Sequence, residues 1–127
     1  MKDFSNWNSK KIQIHNFSSS KLYKERDIWW CSLGVNIGYE QDGKDFGFQR
    51  PVLIVKGLSS KTCLIAPLTS SDNSHVLRIS IGIIKGRASK VIISQIKVID
   101  TKRLINKIAV LDAERFEMIR KSIKEIL

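Results

Sequence analysis

Apolar residues form three short runs in the first half of the chain, at residues 27–33, 51–56 and 63–68. The second and third runs are almost continuously apolar, which indicates strands that are buried on both faces. Residues 58–61, Leu-Ser-Ser-Lys, separate them, and this spacing predicts a β-hairpin. The first run is rich in aromatic and branched residues, so it also predicts a strand. We therefore expect three strands, with a long polar loop over residues 34–49 between the first two.

The second half of the chain predicts three more strands and one short turn. Residues 75–81 alternate between two faces, and one face carries His75, Leu77, Ile79 and Ile81. Residues 82–90 combine two glycines with three cationic residues and predict a loop. Branched residues then predict a fifth strand over residues 90–98. Asp100 is expected to cap a single helical turn that ends at Leu104, and residues 107–110 predict a last strand.

Residues 112–127 predict a helix at the end of the chain. Asp112 is placed to cap it, and Leu111 and Phe116 have the spacing of a hydrophobic staple. One face of this helix repeats Phe116, Ile119, Ile123 and Ile126. This pattern indicates a helix that covers one side of a β-sheet.

Short strands with regular turns and one terminal helix predict a mainly β fold, a small SH3-like antiparallel β-barrel with a C-terminal helix. A chain of 127 residues is expected to form one domain, here over residues 26–127, with residues 1–25 as an N-terminal extension. No apolar run is long enough for a membrane span, and the N-terminus lacks the apolar core of a secretory signal. We therefore expect a cytoplasmic protein that does not enter a membrane.

The net charge of +10 is unevenly distributed along the chain. Residues 51–110 contain ten Lys or Arg and two acids, whereas residues 27–50 contain two and four. Such a charge favours a polyanionic partner, nucleic acid first, because contacts to phosphates release counterions. A contribution to solubility alone is the other interpretation of the same charge.

Motifs of several catalytic classes are absent from the sequence. The chain has no GxxxxGK[ST], GxGxxG, GxSxG or HExxH, so nucleotide-driven, metal-dependent and triad chemistry lack their usual residues. Cys31 and Cys63 lie inside apolar runs, far from any spacing typical of metal ligands, and are expected to be buried thiols. We expect neither a metal nor a cofactor.

The candidate site combines the 34–49 loop with residues at two strand ends. Polar residues Glu40, Gln41 and Lys44 lie among the glycines of this loop, directly before Arg50 and Pro51. The remaining candidates are Thr69 and Ser70, directly after the third apolar run, and Gln95, within the predicted fifth strand. RNA cleavage without a metal needs a proton acceptor, a charge that stabilises the phosphorane and a proton donor for the leaving oxygen. An arginine beside hydroxyls suits the second task. From the residue types alone, the other interpretations are a surface charge at Arg50 and a turn residue at Thr69.

The same residues resemble the MazF/PemK family of toxins. The resemblance rests on an ordered series: DIWWCSL over residues 27–33, the GxNxGxEQ spacing over residues 34–41, RPVLI over 50–54, APLT over 66–69, SHV over 74–76, SQIKVID over 94–100, Arg103-Leu104 and Lys107-Ile108. It covers about residues 26–127.

The resemblance implies the toxin of a type II toxin–antitoxin system. Members are homodimers that cut single-stranded RNA without a metal, leave 2′,3′-cyclic phosphate and 5′-hydroxyl ends, and are inhibited by a cognate antitoxin. Arg50 and Thr69 fall on the family's catalytic arginine and threonine, with Ser70 beside them, and Gln95 falls where the family contacts bases. Glu40 and Gln41 border the groove, Lys44, Lys56 and Lys97 would hold phosphates, and His75 matches a frequent histidine with a structural or an RNA-contacting role.

Three departures from the family pattern limit what can be transferred. The loop over residues 42–49 is longer than in the best-known members, Ile92 and Ser94 replace an arginine and an aspartate of one branch, and residues 1–25 have no counterpart in short members. Two other functions therefore stay open. One is a non-catalytic binding protein on the same barrel, such as a gyrase poison of the CcdB type or an inactive relative. The other is a general nucleic-acid chaperone.

Overall fold

The computed structural model describes residues 22–33, 49–71 and 77–127. This part of the chain forms seven strands, two short 3-10 turns and one α-helix. The strands are β1 (Asp27–Ser32), β2 (Gln49–Gly57), β3 (Thr62–Thr69), β4 (Arg78–Ile84), β5 (Arg87–Ile92), β6 (Lys97–Asp100) and β7 (Leu104–Val110). The 3-10 turns are Ile93–Gln95 and Thr101–Arg103, and the helix, α1, is Ala113–Ile126.

The strands form one curled antiparallel sheet in the order β4-β5-β3-β2-β1-β7, with β6 also paired to β3. One edge of β3 therefore serves two partners. Residues Thr62 to Ile65 pair with β6, and Leu68 and Thr69 pair with β5. Pro67 lies between the two pairings and has no backbone N–H to donate to either strand. The sheet divides at this point, and the last residues of β3 turn toward β5.

Both faces of the central strands are buried, as their continuous apolar runs predict. Along β2, Val52 and Ile54 pack in one apolar cluster, whereas Leu53 and Val55 pack in another. Successive residues of a strand point to opposite faces, so the two clusters lie on opposite sides of the sheet. Cys31 and Cys63 are unpaired thiols in the first of these clusters, and both are fully buried, as predicted.

Helix α1 covers the second cluster. The Asp112 side chain accepts a hydrogen bond from the Arg115 backbone N–H at 3.0 Å, and Leu111 and Phe116 are both buried, so the predicted cap and staple are confirmed. Ile126 is 42% exposed, so its predicted place on the buried stripe is wrong, because the helix ends there. In the described ranges, no helix is long and apolar enough to cross a membrane.

The predictions for residues 82–98 are wrong in two places. Residues 82–90 are not a loop: β4 continues to Ile84, β5 begins at Arg87, and only Lys85 and Gly86 form the turn. The predicted fifth strand is two strands, because the 3-10 turn Ile93–Gln95 separates β5 from β6. The Asp100 cap is confirmed, since its side chain accepts a hydrogen bond from the Lys102 N–H at 2.8 Å.

Several hydrogen bonds attach the segment before β1 to the β2–β3 hairpin and to Leu111, the residue after β7. The Tyr23 hydroxyl lies against the hairpin between β2 and β3, where the carbonyl oxygens of Ser59 and Thr62 share its single hydrogen. Arg26 Nε donates to the Leu111 carbonyl oxygen at 2.9 Å, next to the start of α1. These contacts fix Tyr23 against the β2–β3 hairpin and Arg26 against the residue that precedes the cap of α1.

Candidate functional site

Arg50 is the second residue of β2, and the sheet buries it. Its exposed fraction is 2%, so its interpretation as a surface charge at a strand start is wrong. Arg50 pairs with Cys31 of β1, and its Nε donates to the Leu68 carbonyl oxygen of β3 at 2.9 Å. A buried guanidinium is costly unless it is hydrogen-bonded, and this bond offsets part of that cost. Because the guanidinium is planar, the bond to a backbone oxygen also fixes its orientation.

Thr69 ends β3 on the neighbouring strand. Val52 pairs with Pro67, and continuing this register by two residues places Thr69 opposite Arg50. Thr69 is 5% exposed, and its Oγ1 accepts a hydrogen bond from the Ser71 N–H at 3.1 Å. This bond is a Ser/Thr turn, so the residue does serve the turn after Pro67. A hydroxyl can donate while it accepts, and the hydrogen of this hydroxyl is not used by that bond.

A cavity of about 300 Å³ joins these two residues to the tip of the β4–β5 hairpin. Arg50, Thr69 and Ser70 line it together with Lys85 and Arg87. The remaining lining residues are Trp30, Gln49, Pro51, Leu68, Ile84, Ser89 and Ile108. The structure thus brings the three residues that were predicted to be catalytic to a single cavity.

The described lining of this cavity is cationic and contains no acid. Three of its side chains are Lys or Arg, and none is Asp or Glu. Two of the three belong to the β4–β5 hairpin, Lys85 and Arg87. The sequence around this hairpin has no acid to offset them, since residues 73–99 contain five Lys or Arg and no Asp or Glu. Such a cavity attracts a phosphate and can stabilise negative charge that develops on it. Proton acceptors with a pKa near or below neutrality, a carboxylate or an imidazole, are not among the described lining residues.

The other predicted site residues do not line this cavity where they are described. Lys56 is exposed near the far end of β2, six residues from Arg50, which corresponds to about 20 Å along a strand. Lys97 starts β6 opposite Ile65, and Gln95 ends the 3-10 turn before it. Glu40, Gln41, Lys44 and His75 lie outside the described residues.

Sequence reasoning missed Lys85 and Arg87. They fell in a segment that was predicted to be a loop, so no position relative to Arg50 could be assigned to them. The signal was present in part, because a Lys-Gly pair between two short branched runs is compatible with a two-residue hairpin. Only the pairing of β5 with β3 brings the tip of that hairpin to the end of β3.

No metal centre is found in the described part of the chain, where no three His, Cys, Asp or Glu side chains are grouped closely enough to hold an ion. The two thiols are poor ligands at neutral pH. Burial raises the pKa of Cys31 to about 12 and that of Cys63 to about 11, so both stay protonated.

Comparison with known proteins gives one family. The profile described as "PemK-like, MazF-like toxin of type II toxin-antitoxin system" matches residues 24–127. No curated protein matches the chain at the sequence level.

Several solved structures share the fold of this chain. MazF from Deinococcus radiodurans is 17% identical with a TM-score of 0.66, over 84% of this chain and 96% of that one. The Mycobacterium tuberculosis toxin MazF-mt6 is 18% identical with a TM-score of 0.61, over 79% and 94%. An endoribonuclease in complex with its cognate antitoxin, from Mycobacterial species, is 13% identical with a TM-score of 0.60, over 82% and 93%. At these identities the likeness establishes the fold, and the predicted fold class is confirmed.

Proposed function

Because this chain belongs to the PemK-like, MazF-like family of type II toxins, we propose that it is an endoribonuclease that cuts single-stranded RNA. Its substrate in the cell would be mRNA, cut at short sequences without a metal ion, so that translation stops. The observation that carries this proposal is the buried Arg50, whose Nε is held by the Leu68 carbonyl oxygen and which shares with Thr69 a cavity whose described lining has no acid.

The proposed reaction is a transesterification within the RNA. The 2′-oxygen attacks the adjacent phosphorus, the bond from phosphorus to the 5′-oxygen breaks, and the products are a 2′,3′-cyclic phosphate and a 5′-hydroxyl. Arg50 stabilises the charge on the phosphorane, because its guanidinium is oriented before the substrate arrives. Thr69 positions a phosphate oxygen or passes a proton to the leaving oxygen. Arg50 is a poor base, since its pKa lies far above neutrality, so another group accepts the 2′-proton.

Recognition is assigned to residues other than the described residues that line the cavity. Lys44, Lys56 and Lys97 would contact phosphates, while Gln95 and the loop with Glu40 and Gln41 would read unpaired bases. We further propose a homodimer that a cognate antitoxin inhibits. The antitoxin partner is supported by a structural relative that was solved as an endoribonuclease in complex with its cognate antitoxin.

The test is cleavage of a long single-stranded RNA of mixed sequence in the presence of EDTA. We expect discrete fragments whose 5′ ends accept a phosphate from polynucleotide kinase without prior dephosphorylation. Arg50→Lys should slow cleavage by about 10²-fold or more, since a point charge does not reproduce the oriented guanidinium. Arg103→Lys is the matched control, because Arg103 Nη1 also donates to a backbone carbonyl, that of Ser32, but does not line the cavity.

A non-catalytic binding protein on the same fold is the second candidate. It is favoured by the lack of a carboxylate or imidazole among the described lining residues. Suppose that the wild type leaves the RNA intact in the EDTA assay, while it and both variants are folded and melt at the same temperature. This result would support the binding protein and reject the enzyme.

A further inference from the structure

The turn of the β4–β5 hairpin has a lysine where backbone geometry favours other residues. Ile84 pairs with Arg87, so Lys85 and Gly86 form a two-residue turn. Both have positive φ angles, 50° at Lys85 and 80° at Gly86, as a type I′ turn requires. Asn, Asp or Gly is preferred at the first position, because a side chain with a Cβ is strained there and only Asn and Asp compensate locally. A lysine at this position therefore works against the stability of the turn.

The two cations at the tip of the hairpin, Lys85 and Arg87, both line the cavity. Lys85 and Arg87 are exposed, line the same cavity as Arg50, and form no ion pair among the described residues. Their own hairpin offers no acid, since the nearest acids in the chain are Asp72 and Asp100. Their charges are directed to the cavity and are not neutralised within the hairpin.

We propose that Lys85 and Arg87 form a phosphate subsite that holds the RNA backbone beside the phosphate that reacts at Arg50. This inference rests on the proposed function and adds to it a site for a second phosphate. The two sites differ in construction. Arg50 is buried and oriented for the reacting group, whereas the hairpin cations are exposed on long side chains that can follow a flexible strand. The subsite should therefore contribute to binding in the ground state and the transition state alike.

Binding of an uncleavable RNA tests the subsite directly. The probe is a fluorescein-labelled, mixed-sequence 20-nucleotide RNA with 2′-O-methyl groups throughout, which has no 2′-hydroxyl to react. Its dissociation constant is measured at several salt concentrations. Affinity falls as salt rises, and each phosphate contact to a single strand contributes about −0.7 to the slope of log affinity against log salt. The double variant Lys85→Gln/Arg87→Gln should therefore have a slope that is less steep by about 1.4. The matched control Lys121→Gln/Lys124→Gln removes two exposed charges of α1 outside the cavity and should keep the wild-type slope.

The outcomes separate the subsite from the function on which it rests. If the wild type binds and cuts RNA but the hairpin variant keeps the wild-type slope, the subsite is wrong and the nuclease stands. If the wild type neither binds the probe nor cuts RNA, the proposed function fails and the subsite with it. A less steep slope that the control variant shares equally would also reject the subsite.

Lys85→Asn provides a test that does not depend on loss of stability. Asparagine suits the positive φ at this position, so the melting temperature should be equal to or above that of the wild type. The slope should become less steep by about 0.7 at the same time. A lower melting temperature would show that the lysine serves the fold, and this result would overturn the proposal.

Discussion

Arg50 Nε donates a hydrogen bond to the Leu68 carbonyl oxygen at 2.9 Å, one residue before Thr69 in β3. The guanidinium is planar, so this bond to the backbone of the neighbouring strand limits how the group can rotate. The hydroxyl of Thr69 follows from the next residue of the same strand. The relative position of cation and hydroxyl is therefore set by the pairing of β2 with β3.

We expect the two conservative variants of Thr69 to differ sharply in cleavage. Thr69→Ser keeps an Oγ that can accept from the Ser71 N–H and serve the reaction, so its rate should stay within about tenfold of the wild type. Thr69→Val removes the hydroxyl and should slow single-turnover cleavage by about 10²-fold or more. It should also lower the free energy of unfolding by about 1 kcal/mol, because the turn loses a hydrogen bond. Equal rates for the two variants would contradict the role proposed for Thr69.

Gln95 is predicted to select bases although it does not line the cavity around Arg50. Gln95→Ala should change which sites are cut, whereas Lys97→Ala should weaken the cutting of all sites similarly, because a phosphate contact does not read sequence. Mapping the 5′ ends of the fragments by sequencing distinguishes the two patterns. An unchanged set of sites in Gln95→Ala would show that base selection lies elsewhere.

Gly82 lies against the guanidinium of Arg115, which reaches β4 from the first turn of α1. Its φ is +84°, and a Cβ built there would lie 2.9 Å from Arg115 Nη1, which donates to the Ile81 carbonyl oxygen. The Arg115 guanidinium ends a flexible, half-exposed side chain and can move aside, so Gly82→Ala should add only the loss of that hydrogen bond, about 0.5–1 kcal/mol, to the ~1–2 kcal/mol expected from the backbone. Gly86→Ala is the matched control, since its φ is +80° but a Cβ there would meet no atom within 4 Å. Equal losses in chemical denaturation would rule out the contact with Arg115 as a cause.

The buried thiols should make stability decrease at high pH. Burial raises the pKa of Cys31 from 9.0 to about 12 and that of Cys63 from 9.0 to about 11. Thiols of the unfolded chain ionise from about pH 9 upward, while the folded ones stay protonated. Their contribution to the free energy of unfolding is therefore complete below pH 9 and decreases progressively above it. At pH 10 the loss is about 1.4 kcal/mol for each thiol. Denaturation curves of the wild type and of Cys31→Ala/Cys63→Ala at pH 7.5 and 10 measure this, and the double variant should lose less stability between the two.

Sequence reasoning predicted the elements whose signals are local. The continuous apolar runs around Leu53 and Ile65, the cap at Asp112 and the cap at Asp100 all describe what neighbouring residues do to one another. It failed at residues 82–98, because two glycines and three cations also describe a loop. The pairing partners of β4 and β5, which decide between a loop and a hairpin, are not local in sequence.

The sequence by itself determined the strands of the central sheet and the terminal helix. It also indicated that Arg50, at the start of the second apolar run, and the hydroxyls of Thr69 and Ser70, after the third run, belong to one candidate site. These features depend on periodicity and capping, which act over a few residues. The tertiary structure alone decided that Arg50 is buried and that Lys85 and Arg87 reach its cavity. The physical reason is that burial and charge placement depend on strand register and on the division of the sheet at Pro67, where strands from distant parts of the chain meet.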